Sequence, residues 1–325
     1  MDKLAIISDA TARTIVTRQL AFDAVQAAFE AVATDRAQVF DVVIGTGLNR
    51  GEAFAIKSGL DKENEIVGFK CGTYWGGNYL TGLPAHGSTI LLLNPETGFP
   101  SALVNANFLN GYRTAAANAV AVTHLARADA EVLGVIGAGH QAEQEIRAVA
   151  EVRKLSLIKI STRSDERASW IVDRLKDIDT DILLTSPEEA VRGSDILVTV
   201  TPSESPLVRN EWVADGTHIS AMGADDVGKH ELDISILSRA DLFADFPEQS
   251  VVIGEFQHGY KDGVISALDD ICALGLVTLG NSPGRTSDSQ VTVFDSSGIA
   301  IQDLSVATAV FEKAQELGEI QHIEF

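Results

Sequence analysis

The segment that decides the fold is the run Glu131-Val132-Leu133-Gly134-Val135-Ile136-Gly137-Ala138-Gly139-His140-Gln141-Ala142. Its first half is an apolar run typical of a buried strand, and Ile146 and Val149 then follow at helical spacing. The two glycines and the small residue after them form the G-x-G-x-x-A version of the dinucleotide-binding fingerprint. Gly137 permits the tight turn, Gly139 lets a pyrophosphate approach the backbone, and Ala142 lets the helix pack closely on the strand. We therefore predict that the helix N-terminus binds the pyrophosphate of a dinucleotide. The alternative is an ordinary glycine turn.

Composition places the chain among globular proteins and argues against several classes of partner. The 325 residues are enough for two domains with substantial cores, and 45% of them are hydrophobic. The formal net charge of −21 argues against nucleic acid and anionic membranes as partners. The two cysteines, Cys71 and Cys272, give neither a disulfide framework nor a cluster of metal ligands, which indicates a reducing cytoplasm. We see no signal peptide and no apolar run long enough to cross a membrane.

The residues before the fingerprint form short apolar and polar alternations, which are typical of a mostly antiparallel sheet. An apolar face at helical spacing predicts a leading helix, and an alanine-rich helix leads into the fingerprint strand. The predicted helices cover residues 9–33 and 110–126, and the predicted strands cover 39–44, 52–58, 66–74, 88–93 and 101–106.

After the fingerprint, strands and helices alternate, which predicts a Rossmann-type doubly wound parallel sheet. We therefore predict an α/β protein with two domains. An N-terminal α+β domain for substrate binding and dimerisation covers residues 1–118, and a dinucleotide-binding domain covers residues 119–303. The C-terminal helix, 304–325, is expected to pack back on the first domain. Because the nucleotide domain comes second, the N-terminal domain is expected to supply the substrate groups that face the nicotinamide.

Further motifs extend along the chain: Gly68-Phe69-Lys70, Gly82-Leu83-Pro84, Gly111-Tyr112-Arg113-Thr114-Ala115-Ala116-Ala117, Thr199-Val200-Thr201, Ala221-Met222-Gly223-Ala224-Asp225 with Lys229, and Phe294-Asp295-Ser296. Together with the fingerprint, they resemble the ornithine cyclodeaminase/mu-crystallin family over nearly the whole chain and in the family's order. That family contains cyclodeaminases, imino-acid reductases, alanine dehydrogenases and a ketimine-reducing, thyroid-hormone-binding protein. The resemblance therefore implies a nicotinamide cofactor and a small amino- or imino-acid substrate.

The resemblance assigns the substrate carboxylate to Lys70 and Arg113. Arg113 can hold a carboxylate through two parallel hydrogen bonds, and Lys70, which we also count as catalytic, adds a point charge. The alternative is that each cation makes a structural ion pair. The resemblance assigns the proton-transfer role to Asp225, which follows a strand at the edge where doubly wound sheets bind ligands. A turn aspartate that caps the next helix is the competing interpretation, and the adjacent Asp226 keeps both open.

The other matched positions predict the cofactor contacts. They are Gly137, Gly139, His140 and Gln141 at the fingerprint, Asn118 on the preceding helix, and Thr201, Met222, Lys229 and Ser296 after later strands. The second nucleotide-domain strand lacks the acid that usually holds the ribose 2′-hydroxyl in NAD-selective sites. Arg163 follows that strand, where it would bind a 2′-phosphate or stack on adenine. These two features leave NADPH open, but the resemblance to the nearest-looking family members leads us to expect NADH as the cofactor, with NADPH as the alternative.

Three positions depart from the cyclodeaminase pattern. Cyclodeaminases carry an arginine on an early strand and a glutamate on the next strand, and both face the substrate. The position of the arginine falls near Phe40 in this sequence, and that of the glutamate falls at Ala55. Lys57 replaces a common methionine and points to the same face as Ala55, because strand side chains repeat every two residues. With Lys70 and Arg113, it would place three cations in one pocket, which suits a substrate with two carboxylates. A solvated lysine at a strand end is the alternative.

His86 lies where the family often has threonine beside the cofactor. It is a candidate proton donor or carboxylate contact, and a structural histidine is the alternative. Together with residues 71–78, it resembles the branch of the family that includes iminosuccinate reductases.

These observations predict an NAD(P)H-dependent imino-acid reductase that reduces iminosuccinate to L-aspartate by hydride transfer to the imine carbon. One alternative is an ornithine-type cyclodeaminase with bound NAD, against which Ala55 counts. The other is a mu-crystallin-like ligand-binding protein, against which Asp225 counts. We expect a cytoplasmic homodimer that pairs its N-terminal sheets and binds a small anionic imino acid.

Overall fold

The chain divides into two compact units. The computed structural model describes residues 3–324, apart from the side chain of Tyr79. The N-terminal unit consists of residues 3–113 and 299–324, and the nucleotide unit of residues 114–298. The predicted domains change at 118 and 303, whereas the compact units change at 113 and 298. Met1, Asp2 and Phe325, which the predicted domains include, lie outside the described residues.

The N-terminal unit begins with a strand and two helices, and most of its sheet follows them. Its elements up to the unit boundary are β1 (Lys3–Ile7), α1 (Asp9–Ile15), α2 (Arg18–Ala33), β2 (Ala37–Val39), β3 (Val43–Thr46), β4 (Glu52–Asp61), β5 (Ile66–Trp75), β6 (His86–Leu93) and β7 (Pro100–Asn105). A short 3-10 helix, Gly76–Thr81, lies between β5 and β6. Helix α3 (Asn107–Leu125) begins in this unit and continues into the next.

The nucleotide unit alternates strands and helices as its sequence predicts. Its elements are β8 (Val132–Ile136), α4 (His140–Val152), β9 (Leu157–Ser161), α5 (Asp165–Arg174), β10 (Asp181–Leu184), α6 (Pro187–Val191), β11 (Ile196–Thr199), β12 (Glu204–Val208), β13 (His218–Ala221), β14 (His230–Leu232), β15 (Asp241–Ala244), α7 (Pro247–Ile253), α8 (Phe256–Lys261), β16 (Ile271–Ala273), α9 (Leu274–Thr278) and β17 (Thr292–Asp295). The chain then returns to the N-terminal unit as α10 (Ala300–Leu317) and β18 (Gln321–Glu324).

The N-terminal sheet runs in the order β18-β1-β7-β6-β5-β4-β2, and β3 pairs with β4. Strands β4 to β7 are antiparallel neighbours, whereas β1 is parallel to β7. Helix α10 packs on α2 and on β4 to β6, with Leu304 and Ala307 among its buried residues. A C-terminal helix thus covers the sheet that carries Lys57 and Lys70.

The sequence prediction is wrong about two helices, of which one is broken and the other ends early. The leading helix is broken into α1 and α2, because Val16 and Thr17 are extended and the Thr17 hydroxyl caps α2 by accepting the Leu20 N–H at 3.1 Å. The C-terminal helix ends at Leu317, since Gly318 adopts a left-handed conformation with φ 71°. The strand that follows, β18, pairs with β1 instead of extending the helix to 325.

The nucleotide sheet confirms the prediction of a doubly wound Rossmann-type fold. Its strands are parallel and run in the order β10-β9-β8-β11-β13-β17-β15-β16. Strands β11 and β13 are buried at every position, as expected for a sheet with both faces covered. The strand order reverses between β8 and β11, and ligands bind outside the carboxyl ends of strands at such a point. Within residues 3–324, no helix has the length and hydropathy needed to cross a bilayer.

Candidate active site

The turn after β8 has the geometry that a dinucleotide pyrophosphate requires. Gly137 has φ +127°, and a Cβ there would lie 2.7 Å from the carbonyl oxygen of Val200. Gly139 is the N-cap of α4, and a Cβ on it would meet no heavy atom within 4 Å. Ala142 is fully buried, as close packing of the helix on the strand requires. The open space over Gly139, at the N-terminus of α4, therefore fits a phosphate.

A buried carboxylate braces the first turn of α4. Glu145 accepts hydrogen bonds from the side-chain amides of Gln141 at 2.6 Å and Asn118 at 2.8 Å. Asn118 and Glu145 are fully buried, so the Asn118 amide supports this turn. His140 is exposed and packs edge-on against Trp170, with 4.6 Å between the ring centroids. Direct cofactor contacts of Asn118, His140 and Gln141 remain predictions.

Arg163 lies just beyond the carboxyl end of β9, two residues after Ser161. Its side chain is exposed, and Ser164 caps α5 by accepting the Arg167 N–H. An arginine at the end of the second strand is thus available to the adenosine end of a dinucleotide.

We predict that Arg163→Asp shifts the cofactor preference toward NADH. The carboxylate would accept hydrogen bonds from the ribose diol and repel a 2′-phosphate. Measuring kcat/KM with NADH and NADPH should show an NADH/NADPH ratio about 10-fold higher than in the wild type, which corresponds to about 1.4 kcal/mol. An unchanged ratio would place Arg163 outside the adenosine site. Arg167→Asp, four residues later on α5, serves as the control.

The loop after β13 presents Asp225. The Asp225 side chain forms an ion pair with Lys229 and is 56% exposed. The carboxylate of Asp226 instead accepts the Val227 N–H at 2.8 Å. Met222, at the start of the loop, is buried, and its N–H donates to the carbonyl of Thr199 at 2.8 Å. The Asp225 carboxylate is therefore accessible from solvent, and its role in proton transfer remains a prediction.

Glu231 connects the loops after β11 and β13. One of its oxygens accepts the Thr201 N–H and hydroxyl at 2.7 Å each, and the other accepts the Gly223 N–H at 3.1 Å. Burial raises the pKa of Glu231 to about 7, even though these hydrogen bonds act in the opposite direction. Thr201 is therefore held next to the loop of Asp225 by a residue that the sequence reasoning missed. An acid at the centre of the short strand β14 was the available signal.

Ser296 follows β17 and is buried. Its hydroxyl is 3.4 Å from Asp245, which also accepts the Ser297 hydroxyl at 2.9 Å and the Gly298 N–H at 2.7 Å. These contacts fix the loop after β17, and a contact between Ser296 and the cofactor remains a prediction.

In the N-terminal unit, the structure brings Lys57, Lys70 and Arg113 together. Lys57 on β4 stands directly opposite Lys70 on β5, and side chains of directly opposed residues share a sheet face. Lys70 is 7% exposed and Arg113, on the first half of α3, is 8% exposed. The charges of Arg113 and Lys57 both act on Lys70. We call these three residues the cation cluster.

An aspartate of the protein forms ion pairs with two members of the cation cluster. Asp303, on the first turn of α10, places one oxygen 2.7 Å from Lys70 Nζ and the other 2.9 Å from Arg113 Nε. Asn110 Oδ1 accepts from Lys70 at 3.2 Å and from Arg113 Nη2 at 3.0 Å, and Gln302 Oε1 accepts from Arg113 Nη1 at 3.3 Å. A structural ion pair, one of the two interpretations of Lys70 and Arg113, is thus present.

That ion pair does not use the full binding capacity of Arg113. The guanidinium carries five N–H groups. Its described contacts use Nε and one N–H on each terminal nitrogen, so the Nη1–Nη2 edge keeps one N–H per nitrogen. That edge can still bind a carboxylate in the bidentate manner.

Electrostatics set Lys70 apart from an ordinary lysine. Burial and the positive charge of Arg113 lower the pKa of Lys70 to about 7, although Asp303 acts in the opposite direction. Burial alone would raise the pKa of Asp303, but Arg113 and Lys70 more than offset it and hold that pKa below its ordinary value. Lys70 can therefore both bind an anion and exchange a proton near neutral pH.

His86 lies away from the cation cluster. It starts β6 opposite Tyr74, and the two rings are 4.8 Å apart. Tyr74 is four residues from Lys70 along β5, a distance of about 13 Å in a strand. His86 is exposed, and its contact with a substrate remains a prediction. Within the described residues, no group of three or more His, Cys, Asp or Glu side chains could hold a metal ion.

Comparison with known proteins decides the family. The model of the ornithine cyclodeaminase/mu-crystallin family matches residues 4–318. The chain belongs to this family. The iminosuccinate reductase of Paracoccus denitrificans is 38% identical over 321 residues, which cover 99% of this chain and 100% of that protein. The alanine dehydrogenase of Archaeoglobus fulgidus is 36% identical, covering 95% of this chain and 94% of that protein.

Solved structures of other family members have the same fold. The crystal structure of the Paracoccus denitrificans iminosuccinate reductase with NAD+ aligns with a TM-score of 0.94 at 37% identity, over 99% of this chain and 100% of that one. The Thermococcus litoralis Δ1-pyrroline-2-carboxylate reductase, in complex with NADH and L-proline, aligns with a TM-score of 0.91 at 28% identity, over 99% and 100%. Both of these family members were solved with a nicotinamide cofactor.

Proposed function

We propose that this family member is an NADH-dependent imino-acid reductase that reduces iminosuccinate to L-aspartate. The observation that carries the proposal is the second lysine in the cation cluster: Lys57 stands opposite Lys70, beside Arg113. A substrate with one carboxylate uses Arg113 and Lys70, whereas the second carboxylate of a dicarboxylate can also contact Lys57. The full-length similarity to an iminosuccinate reductase supports the same substrate.

The residues divide the reaction between binding and proton transfer. Arg113 and Lys70 bind the α-carboxylate next to the imine, and Lys57 binds the distal one. When bound, NADH supplies the hydride that the imine carbon receives. Asp225 provides the proton that the nitrogen takes up, with Lys229 beside it to hold its carboxylate charge. One imine, one hydride and the nitrogen's proton thus give the amine.

The fingerprint loop supplies the cofactor site in this proposal. The backbone at Gly137 and Gly139 holds the pyrophosphate at the N-terminus of α4, and the loops that carry Thr201, Met222 and Ser296 line the nicotinamide side. NADH is proposed as the cofactor because the similar structures contain NAD+ or NADH. NADPH is the alternative that Arg163 favours.

Lys57→Met tests the dicarboxylate assignment. The variant loses one charge-assisted contact, worth about 1.5–3 kcal/mol, so kcat/KM for iminosuccinate should fall about 10- to 100-fold. Activity on the imine formed from pyruvate and ammonia should persist, because that substrate has no distal carboxylate. Lys62→Met, at an exposed position next to the end of β4, is the matched control. Equal losses on both imines would mean that Lys57 supports the cluster generally.

A substrate panel tests the proposed activity. Oxaloacetate, pyruvate and 2-oxoglutarate, each with ammonium, should be compared through the loss of NADH absorbance, and the imine from oxaloacetate should give the highest kcat/KM. L-Ornithine with NAD+ serves as the test for a cyclodeaminase. Formation of proline and ammonia from ornithine, with no turnover of the panel, would replace the reductase by that alternative.

We further propose that the protein is a cytoplasmic homodimer. Exposed apolar side chains on and around β3 offer a surface for a second copy, and they include Phe40, Val43, Ile44 and Leu48. An archaeal alanine dehydrogenase with bound NAD, which aligns with a TM-score of 0.93, is a dimer. The unbridged cysteines, Cys71 and Cys272, accord with a reducing compartment.

A further inference from the structure

Asp303 contacts both cations that are proposed to bind the α-carboxylate. Its side chain is 2% exposed, and each of its oxygens contacts a different cation. It comes from α10, nearly two hundred residues after Arg113 in the chain. A carboxylate on the first turn of a helix is also favoured by the positive end of the helix dipole.

We propose that Asp303 is a positioning residue for the reaction, keeping the ammonium group of Lys70 charged and turning the terminal edge of Arg113 toward the substrate carboxylate. This inference rests on the proposed function, because it takes Lys70 and Arg113 as the residues that bind the substrate. It adds a residue from the C-terminal helix that does not itself touch the substrate.

The contact at Nε gives Asp303 its control over Arg113. A guanidinium can bind a carboxylate through the Nε–Nη2 edge or through the Nη1–Nη2 edge. Since Asp303 accepts a hydrogen bond from Nε and Asn110 accepts one from Nη2, the Nε–Nη2 edge is already in use. The Nη1–Nη2 edge of the guanidinium therefore remains for the substrate, which fixes the direction from which the substrate carboxylate approaches.

The contact at Nζ gives Asp303 its control over Lys70. The charged groups that face this lysine are Arg113 from α3, Lys57 from β4 and Asp303 from α10, while β6 places Ile90 opposite it. The two cations and the burial all favour neutral Lys70, so Asp303 is the group that opposes them. Without it, Lys70 would lose its proton at lower pH and could no longer attract an anion.

Titration of Lys70 tests directly whether Asp303 keeps this lysine charged, and it needs no substrate. In protein labelled with 13Cε-lysine, the Lys70 resonance is identified by its loss in Lys70→Met. Asp303→Asn should lower the pH midpoint of that resonance by at least about 1 unit. Asp303→Glu keeps the charge, so its midpoint should stay within about half a unit of the wild type. Asp61→Asn, which alters an equally buried aspartate of the same unit, should leave it unchanged.

A kinetic measurement complements the titration and uses whichever imino acid the wild type reduces fastest. If the midpoint falls from about 7 to about 6, the charged fraction of Lys70 falls about 10-fold at pH 8 and less than about twofold at pH 5.5. The loss of kcat/KM in Asp303→Asn should follow that pH dependence and be reversed in Asp303→Glu. A merely structural aspartate would give a loss that does not vary with pH.

The outcomes separate this inference from the proposed function. An unchanged or raised Lys70 midpoint in Asp303→Asn would overturn the role of Asp303, whatever the substrate. If Asp303→Asn does not fold, a midpoint lowered by 1 unit or more in Asp303→Glu would overturn it. If the wild type reduces no imino acid, the proposed function fails, and the titration still decides the electrostatic role.

Discussion

Arg113→Met should reduce kcat/KM about 30- to 5,000-fold for iminosuccinate and for the imine of pyruvate alike. Truncating one partner of a buried, hydrogen-bonded charge pair costs about 2–5 kcal/mol or more, and both imines carry the α-carboxylate that Arg113 is proposed to bind. Methionine keeps the length and apolar stem of the side chain, so packing changes little. The loss should be measured with both substrates at saturating NADH.

The pattern across variants carries more information than the size of the loss. Lys57→Met should discriminate between the two imines, whereas Arg113→Met should not. Arg13→Met, which replaces an exposed arginine of the same unit, is the control for the substitution itself. If Arg113→Met kept kcat/KM near the wild-type value, Arg113 would be a structural partner of Asp303 and the substrate would bind elsewhere.

Gly139→Val should abolish detectable NADH binding while leaving the fold intact. A Cβ at this position meets no protein atom within 4 Å, so folding costs little, but the two added methyls occupy the space of the pyrophosphate. We expect Kd for NADH to rise at least about 100-fold, a loss of about 2.7 kcal/mol or more. Titration of the cofactor by calorimetry and a thermal melt measure the two properties separately.

Gly137→Ala is the informative contrast. Its φ of +127° is unfavourable for any residue with a Cβ, which would also lie 2.7 Å from the Val200 carbonyl oxygen. This variant should therefore lose thermal stability as well as cofactor affinity. Retained NADH affinity in folded Gly139→Val would contradict the fingerprint assignment. A melting temperature lowered as much as in Gly137→Ala would mean that the space over Gly139 serves folding.

The sequence predicted the nucleotide fold well because its signals are local. The strand, glycine turn and helix of residues 131–150 lie within one continuous segment, and alternation of strands with helices specifies a parallel sheet. The break between α1 and α2 was harder to see, since Val16 and Thr17 interrupt the helix without glycine or proline. The strand β18 depends on pairing with β1 at the other end of the chain, which no local pattern reveals.

The roles of Asp303 and Glu231 could not be predicted either, because their contacts also join residues that are distant in the chain. Asp303 meets Lys70 and Arg113 only because α10 returns to the N-terminal unit. The sequence predicted that this helix packs back on the first domain, but nothing in it pairs one of the helix's acids with a lysine on β5. Glu231 likewise reaches Thr201 across thirty residues. Strand alternation allowed the prediction that Lys57 shares a pocket with Lys70, whereas the direct pairing of the two lysines also depends on the turn between β4 and β5.

Transfer of deuterium from the cofactor shows whether the protein reduces the imine of oxaloacetate to L-aspartate. The protein should be incubated with oxaloacetate, ammonium and NADH carrying deuterium on both faces of its C4, and the products analysed by mass spectrometry and chiral chromatography. We expect L-aspartate with one deuterium at the α-carbon, in equal amount to the NAD+ formed, and we expect Arg113→Met to lose this product. Deuterated malate, or oxidised cofactor without labelled aspartate, would contradict this expectation.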